Sequence, residues 1–176
     1  MRAPAAHCLG VGGEQVARRL SRLIDAPLVL QRYSRLAYDC NRPPDSPEAM
    51  PEISEITHIP LLDYRAGEGV RSVVVTVHSF TPVYKGTRRT VELGILHDRD
   101  TRLAEKLITS FPGVDARLNE PYGPKDGVLH TLNLHAAPRG LQHVMLEMRN
   151  DLIAEERGQD EWAERLLASL TLAGAH

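Results

Sequence analysis

The chain has 176 residues, 42% hydrophobic and 25% charged, with 23 acidic against 21 basic side chains and a formal net charge of -2. That length supports one substantial core and is short for two, and scattered Lys and Arg leave no electrostatic footprint for nucleic acid. No apolar run approaches the ~20 residues of a membrane span, and the amino end lacks an apolar signal core. Cys8 and Cys40 have neither metal nor redox spacing, so free thiols in a cytoplasmic protein are the expectation.

Residues 1–13 are small and Gly-rich and read as a loop. Gly10-x-Gly12 is too short for a dinucleotide fingerprint and follows no strand. Residues 14–25 carry helical periodicity, with Val16, Leu20, Leu23 and Ile24 on one face and Arg18, Arg19 and Arg22 on the other. Pro27 stops this helix, and Leu28-Val29-Leu30 reads as the next strand. Leu36-Ala37-Tyr38 reads as a briefer one. Then Asn41-Arg42-Pro43-Pro44 presents the Arg42 guanidinium from a stiff, extended loop. An arginine held this way suits two-pronged recognition of a carboxylate. A surface salt bridge to Asp39 or Asp45 accounts for the same residues.

Residues 52–69, interrupted by Pro60, carry no clear pattern. Val73, Val74, Val75 and Val77 form a β-branched run that predicts a strand buried on both faces of a sheet. It ends abruptly in His78-Ser79, with Thr81-Pro82 beyond. Open α/β sheets place ligands at the carboxyl ends of central strands. His78 is therefore a candidate ligand or catalyst, with a strand-capping histidine as the alternative.

Residues 84–89 read as a polar turn, and residues 91–96 as a second buried strand ending in His97-Asp98-Arg99-Asp100. Asp100 is placed to cap a helix over 101–111 with Leu103, Leu107 and Ile108 inward. Residues 114–118 suggest a short edge strand. Residues 119–127 form a Gly- and Pro-rich loop, the kind of segment that carries function more often than regular elements do. His130 and His135 follow on a stretch of uncertain type.

The run His143-Val-Met-Leu-Glu-Met-Arg149 predicts a further strand. Glu147, after three apolar residues, is costly to bury unless it is paired or working. Arg149 shares its face by strand alternation, so a structural Glu147–Arg149 pair is the alternative. A last helix over 160–172 turns Trp162, Leu166, Leu167 and Leu170 inward. Together these elements predict one α/β domain over residues 1–176, with the strands at 73–77 and 144–146 central.

Five short motifs then stand in order: Asp39-Cys-Asn-Arg-Pro-Pro44, His78-Ser-Phe-Thr-Pro82, Leu96-His-Asp-Arg-Asp100, Asn119-Glu-Pro-Tyr122 and Glu147-Met-Arg-Asn-Asp151. The set resembles the N-formylglutamate amidohydrolase family, from about Val16 to the carboxyl end. The resemblance implies a relative of the zinc carboxypeptidase and aspartoacylase fold, a phosphorylase/hydrolase-like mixed, mostly parallel sheet with helices on both faces. It implies His78 as a metal ligand, Asn41 and Arg42 as holders of a substrate carboxylate, and Glu147 as the carboxylate that activates water. Arg149 would bind substrate in the same way or orient Glu147.

The implied activity is hydrolysis of N-formyl-L-glutamate, or a similar N-acyl amino acid, within histidine degradation. The implied cofactor is a divalent metal, zinc or cobalt. The chain departs from the pattern at the amino end, where the family has a strand ending in an Asp-His-type motif, and between Pro60 and Leu61, where the family has an extra loop and helix. A shortened member is thus expected, with a carboxylate-binding remnant as the competing class. Where a first strand is missing, the open sheet edge invites pairing with a second copy as a homodimer.

Overall fold

In the computed structural model, which describes residues 12–30, 42 and 73–175, one sheet is sandwiched between helices. Its strands are β1 (Val73–Phe80), β4 (Leu93–Leu96), β5 (Ala116–Leu118) and β6 (Gln142–Arg149), in the order β1-β6-β4-β5. β1 runs parallel to β6 and β4 parallel to β5, while β4 and β6 are antiparallel. The sheet is therefore mixed, with two parallel pairs joined by one antiparallel seam.

Strand alternation divides the side chains between two faces. Val73, Val75, Val77, Val144, Leu146, Met148, Leu93 and Ile95 point to one side and form the main core. Three helices cover that face: α1 (Gly13–Leu23) through Val16 and Leu20, α2 (Arg102–Leu107) through Leu103, Ala104 and Leu107, and α4 (Glu156–Leu172) through Trp162, Ala163, Leu166 and Leu170. The other face carries a smaller cluster of Leu96, Val128, Leu129, Leu132 and Met145, with Val74 and Tyr122 packed against it, beneath the short helix α3 (His130–His135). Helices thus lie on both faces. None among the described residues is long and apolar enough to cross a membrane.

Three sequence expectations are corrected. Among the described residues β1 is the outer strand rather than a central one, and its first six residues are only half-buried because β6 flanks it on one side. β6 takes the central place. Leu28, Val29 and Leu30 form no strand: they are irregular, and Val29 is 64% exposed, because no described strand pairs with them. The polar turn at 84–89 contains a hairpin, β2 (Val83–Tyr84) and β3 (Thr87–Arg88), closed by Lys85 and Gly86, both at positive φ. Positive φ at both central residues matches the twist of the flanking strands. The brief strand expected at 36–38 and the unpatterned stretch at 52–69 lie outside the described residues.

Candidate functional site

His78 and Glu147 are register partners across the parallel β1–β6 pair. Partners in adjacent strands point to the same face and stand about 4.8 Å apart at their Cα atoms. Both belong to the face opposite the main core, together with Thr76, Phe80 and Arg149. Glu147 is 6% exposed and His78 half-buried, so an imidazole and a sheltered carboxylate sit side by side near the carboxyl ends of both strands. The backbone of Gly13, where α1 begins, lies against the backbone of His78.

A roof beside Glu147 comes from the segment at residues 119–127. Gly94 is the β4 partner of Glu147, and the carbonyl oxygen of Glu120 passes so close that a Cβ on Gly94 would lie 2.2 Å from it. Only a residue without a side chain allows this crossing. The segment starts at Asn119, whose Oδ1 accepts from the His97 backbone N–H at 2.9 Å, and runs on to Tyr122. Gly123 and Asp126 close a turn there, with the Gly123 N–H donating to Asp126 Oδ2 at 2.8 Å and the Asp126 N–H to the Gly123 carbonyl at 2.9 Å. Arg42 donates from Nη1 to the Asp126 carbonyl, so its guanidinium is attached to the same roof.

Arginines fasten the periphery. Arg149 donates to Asp151 Oδ1 and to the Thr90 carbonyl, each at 2.8 Å, and lies 3.9 Å from Glu92. Arg117 reaches Asp115 at 2.8 Å and Glu120 and Thr90 Oγ1 at 3.0 Å each. Those hydrogen bonds hold the Asp115 carboxyl below its ordinary range and raise the Arg117 guanidinium, against a smaller opposing effect of burial. Thr76 adds a buried hydroxyl with no hydrogen-bond partner among the described residues.

The structure therefore places His78 beside Glu147 on one face and bonds Arg42 to the Asp126 carbonyl of the loop that crosses Gly94, while Asn41 lies outside the described residues. Arg149 closes the end of β6 with its guanidinium engaged by protein acceptors. The charged corner at His97 lies elsewhere. β4 runs against β6, with Leu96 paired to Met145, so that corner emerges at the amino end of β6. His143, bonded through Nδ1 to the Leu141 carbonyl at 2.7 Å, is at that end as well. A sequence shows that a buried run ends in polar residues, not which way the strand runs. Gly94 was not legible as a residue of this face; a glycine inside an apolar strand is the one signal that marks a close backbone approach.

Among the described residues, no group of three His, Cys, Asp or Glu could hold a metal ion. A hydrolytic zinc site uses three protein ligands and leaves one position open. The described donors therefore do not fit such an ion by themselves.

Comparison with known proteins adds three findings. The model of a family described as N-formylglutamate amidohydrolase matches residues 11–69 and 61–154. The crystal structure of gene product Atu2144 from Agrobacterium tumefaciens is 45% identical, covers 97% of this chain and 80% of its own, and superposes with a TM-score of 0.88. No curated protein matches the chain.

Proposed function

Because the chain belongs to the N-formylglutamate amidohydrolase family, we propose that it hydrolyses a linear amide, N-formyl-L-glutamate or a similar N-acyl amino acid, on the face that carries His78 and Glu147. The observation that carries this reading is their register: a sheltered carboxylate beside an imidazole, under a loop to which Arg42 is bonded. Glu147 takes a proton from water as the water oxygen bonds to the acyl carbon. The C–N bond then breaks, and Glu147 delivers that proton to the leaving nitrogen. His78 supplies a ring N–H donor beside the carbonyl oxygen. Arg42, with Asn41, grips the substrate carboxylate. Of the two roles open to Arg149, orienting the strand end suits it better, since Asp151, Glu92 and the Thr90 carbonyl occupy its guanidinium.

The family's divalent metal, zinc or cobalt, would polarise the acyl carbonyl. The described donors fall short of a ligand set for it. The same shortfall favours a second reading, a carboxylate-binding module that retains the Arg42 pocket without turnover.

Release of formate from N-formylglutamate by the purified chain separates the two. Turnover that disappears in both Glu147→Gln and His78→Ala supports hydrolysis. Absence of turnover, together with weak and unsaturable binding of zinc and cobalt by calorimetry, supports the binding module.

A further inference from the structure

Arg89 differs from three other arginines that are at least half-buried. Arg19 pairs with Asp160, Arg117 with Asp115 and Glu120, and Arg149 with Asp151. Arg89 has no carboxylate partner among the described residues. Its guanidinium instead lies over three aromatic rings, 4.6 Å from the centroid of Tyr84, 5.0 Å from Tyr122 and 5.5 Å from Phe80. Nη1 donates to the Tyr122 hydroxyl at 3.2 Å and to the Thr81 carbonyl at 3.3 Å. The Nε–Nη2 edge, the side that meets a carboxylate with two parallel hydrogen bonds, has no acceptor among the described residues.

The mount beneath it is firm. The Arg89 N–H donates to the Pro82 carbonyl at 2.8 Å, and its neighbour Thr90 is held by Arg149 at the carbonyl and by Arg117 at the hydroxyl. Phe80, which carries one ring of the cage, lies two residues beyond His78 on the same face of β1, about 6.6 Å along the strand. Tyr122, which carries another, belongs to the loop that roofs Glu147. A cation held by ring faces keeps its charge while its fork edge stays available.

We infer that Arg89 is a second carboxylate-recognising residue, which together with Arg42 makes the site select N-acyl amino acids bearing two carboxylates over those bearing one. This rests on the hydrolase reading for the location of the site, but the recognition itself needs no turnover. Arg42 takes the α-carboxylate at the end of the roof, and Arg89 takes the side-chain carboxylate, the end that is an amide in N-formylglutamine, from the hairpin side. The cage aims the fork, and the lack of an acceptor on it among the described residues leaves it for the ligand.

The test is binding in the Glu147→Gln background, where the proposed hydrolysis is blocked. N-formylglutamate and N-formylglutamine, which differ in the charge of one end, are titrated by calorimetry. The parent should bind N-formylglutamate about tenfold or more tighter, the range of a charge-assisted pair. Arg89→Gln should weaken N-formylglutamate most and bring the two ligands within about twofold of each other. Arg89→Lys keeps the charge without the planar fork and should give an intermediate ratio with parental thermal melting. It carries the test if Arg89→Gln fails to fold. An undiminished preference in folded Arg89 variants overturns the inference, as does failure of the parent to bind either ligand. Failure of the hydrolase reading is seen separately, as absence of formate release by the chain with Glu147 intact.

Discussion

Replacing Gly94 by alanine tests whether the 119–127 roof is held where Glu147 needs it. A Cβ at that position would lie 2.2 Å from the Glu120 carbonyl oxygen and 2.9 Å from Leu96 Cδ1. The oxygen must retreat by roughly 1 Å or more to reach contact distance. Overpacking of this kind costs about 1–3 kcal/mol. Alanine in a strand recovers about 0.5–1 kcal/mol relative to glycine. The balance is a loss of up to about 2.5 kcal/mol, which for a chain of this size corresponds to a fall of up to roughly 10 °C in melting temperature. The functional loss should be larger in proportion, since Arg42 and Tyr122 both depend on where that segment lies. Thermal melting by circular dichroism measures the first effect and N-formylglutamate affinity in the Glu147→Gln background the second. A Gly94→Ala chain that melts at or above the parent with unchanged affinity would refute the close crossing.

Three further outcomes follow from the same contacts. Thr76→Val removes a buried hydroxyl that has no partner among the described residues, and should raise stability by about 1 kcal/mol; a lower urea midpoint would show that the hydroxyl is bonded in solution. Gly12→Ala combines a φ of +80 with a Cβ 2.0 Å from the Ile153 carbonyl oxygen, so it should cost about 2–5 kcal/mol, readable as a depressed melting temperature. The Arg102 side-chain hydrogen bond, aided by its backbone N–H and by nearby positive charge, holds the Asp100 carboxyl below its ordinary 3.8 against the opposing effect of burial. A depressed carboxylate contributes stability above the unfolded value and loses it as pH falls through the folded one. Asp100→Asn should therefore lower the urea midpoint at pH 7 and lower it less near pH 3; an equal decrement at both would point to a cause other than charge.

The parts of the fold that were legible in the sequence are those governed by local periodicity. The faces of α1 and α4 follow from Val16 and Leu20 and from Trp162, Leu166 and Leu170, because a helix repeats its inward positions within one segment. The alternation of Val144, Leu146 and Met148 against Met145 and Glu147 has the same local origin. Pairing is different, because it depends on residues far away in the chain. Nothing in Val73–Phe80 states that only β6 flanks it among the described strands, and nothing in Leu93–Leu96 states that it runs the opposite way. The cage around Arg89 draws on positions 80, 84 and 122, and the roof over Gly94 on a loop some 26 positions onward. His78 and Glu147 could be named as candidates, but their adjacency is a property of register that no single segment contains.

That adjacency has a consequence for how the chain can vary. The separation of His78 and Glu147 is set by hydrogen-bonded strands rather than by the connections between them. Homologues can lengthen or shorten residues 81–90 or 128–141 and inherit the pair intact. One residue inserted between Val73 and Val77, or between Val144 and Leu146, would rotate one member of the pair to the opposite side of the sheet and bring an apolar neighbour in its place. Variation among relatives should accordingly collect in loop lengths, while the residue counts of these two strands stay constant.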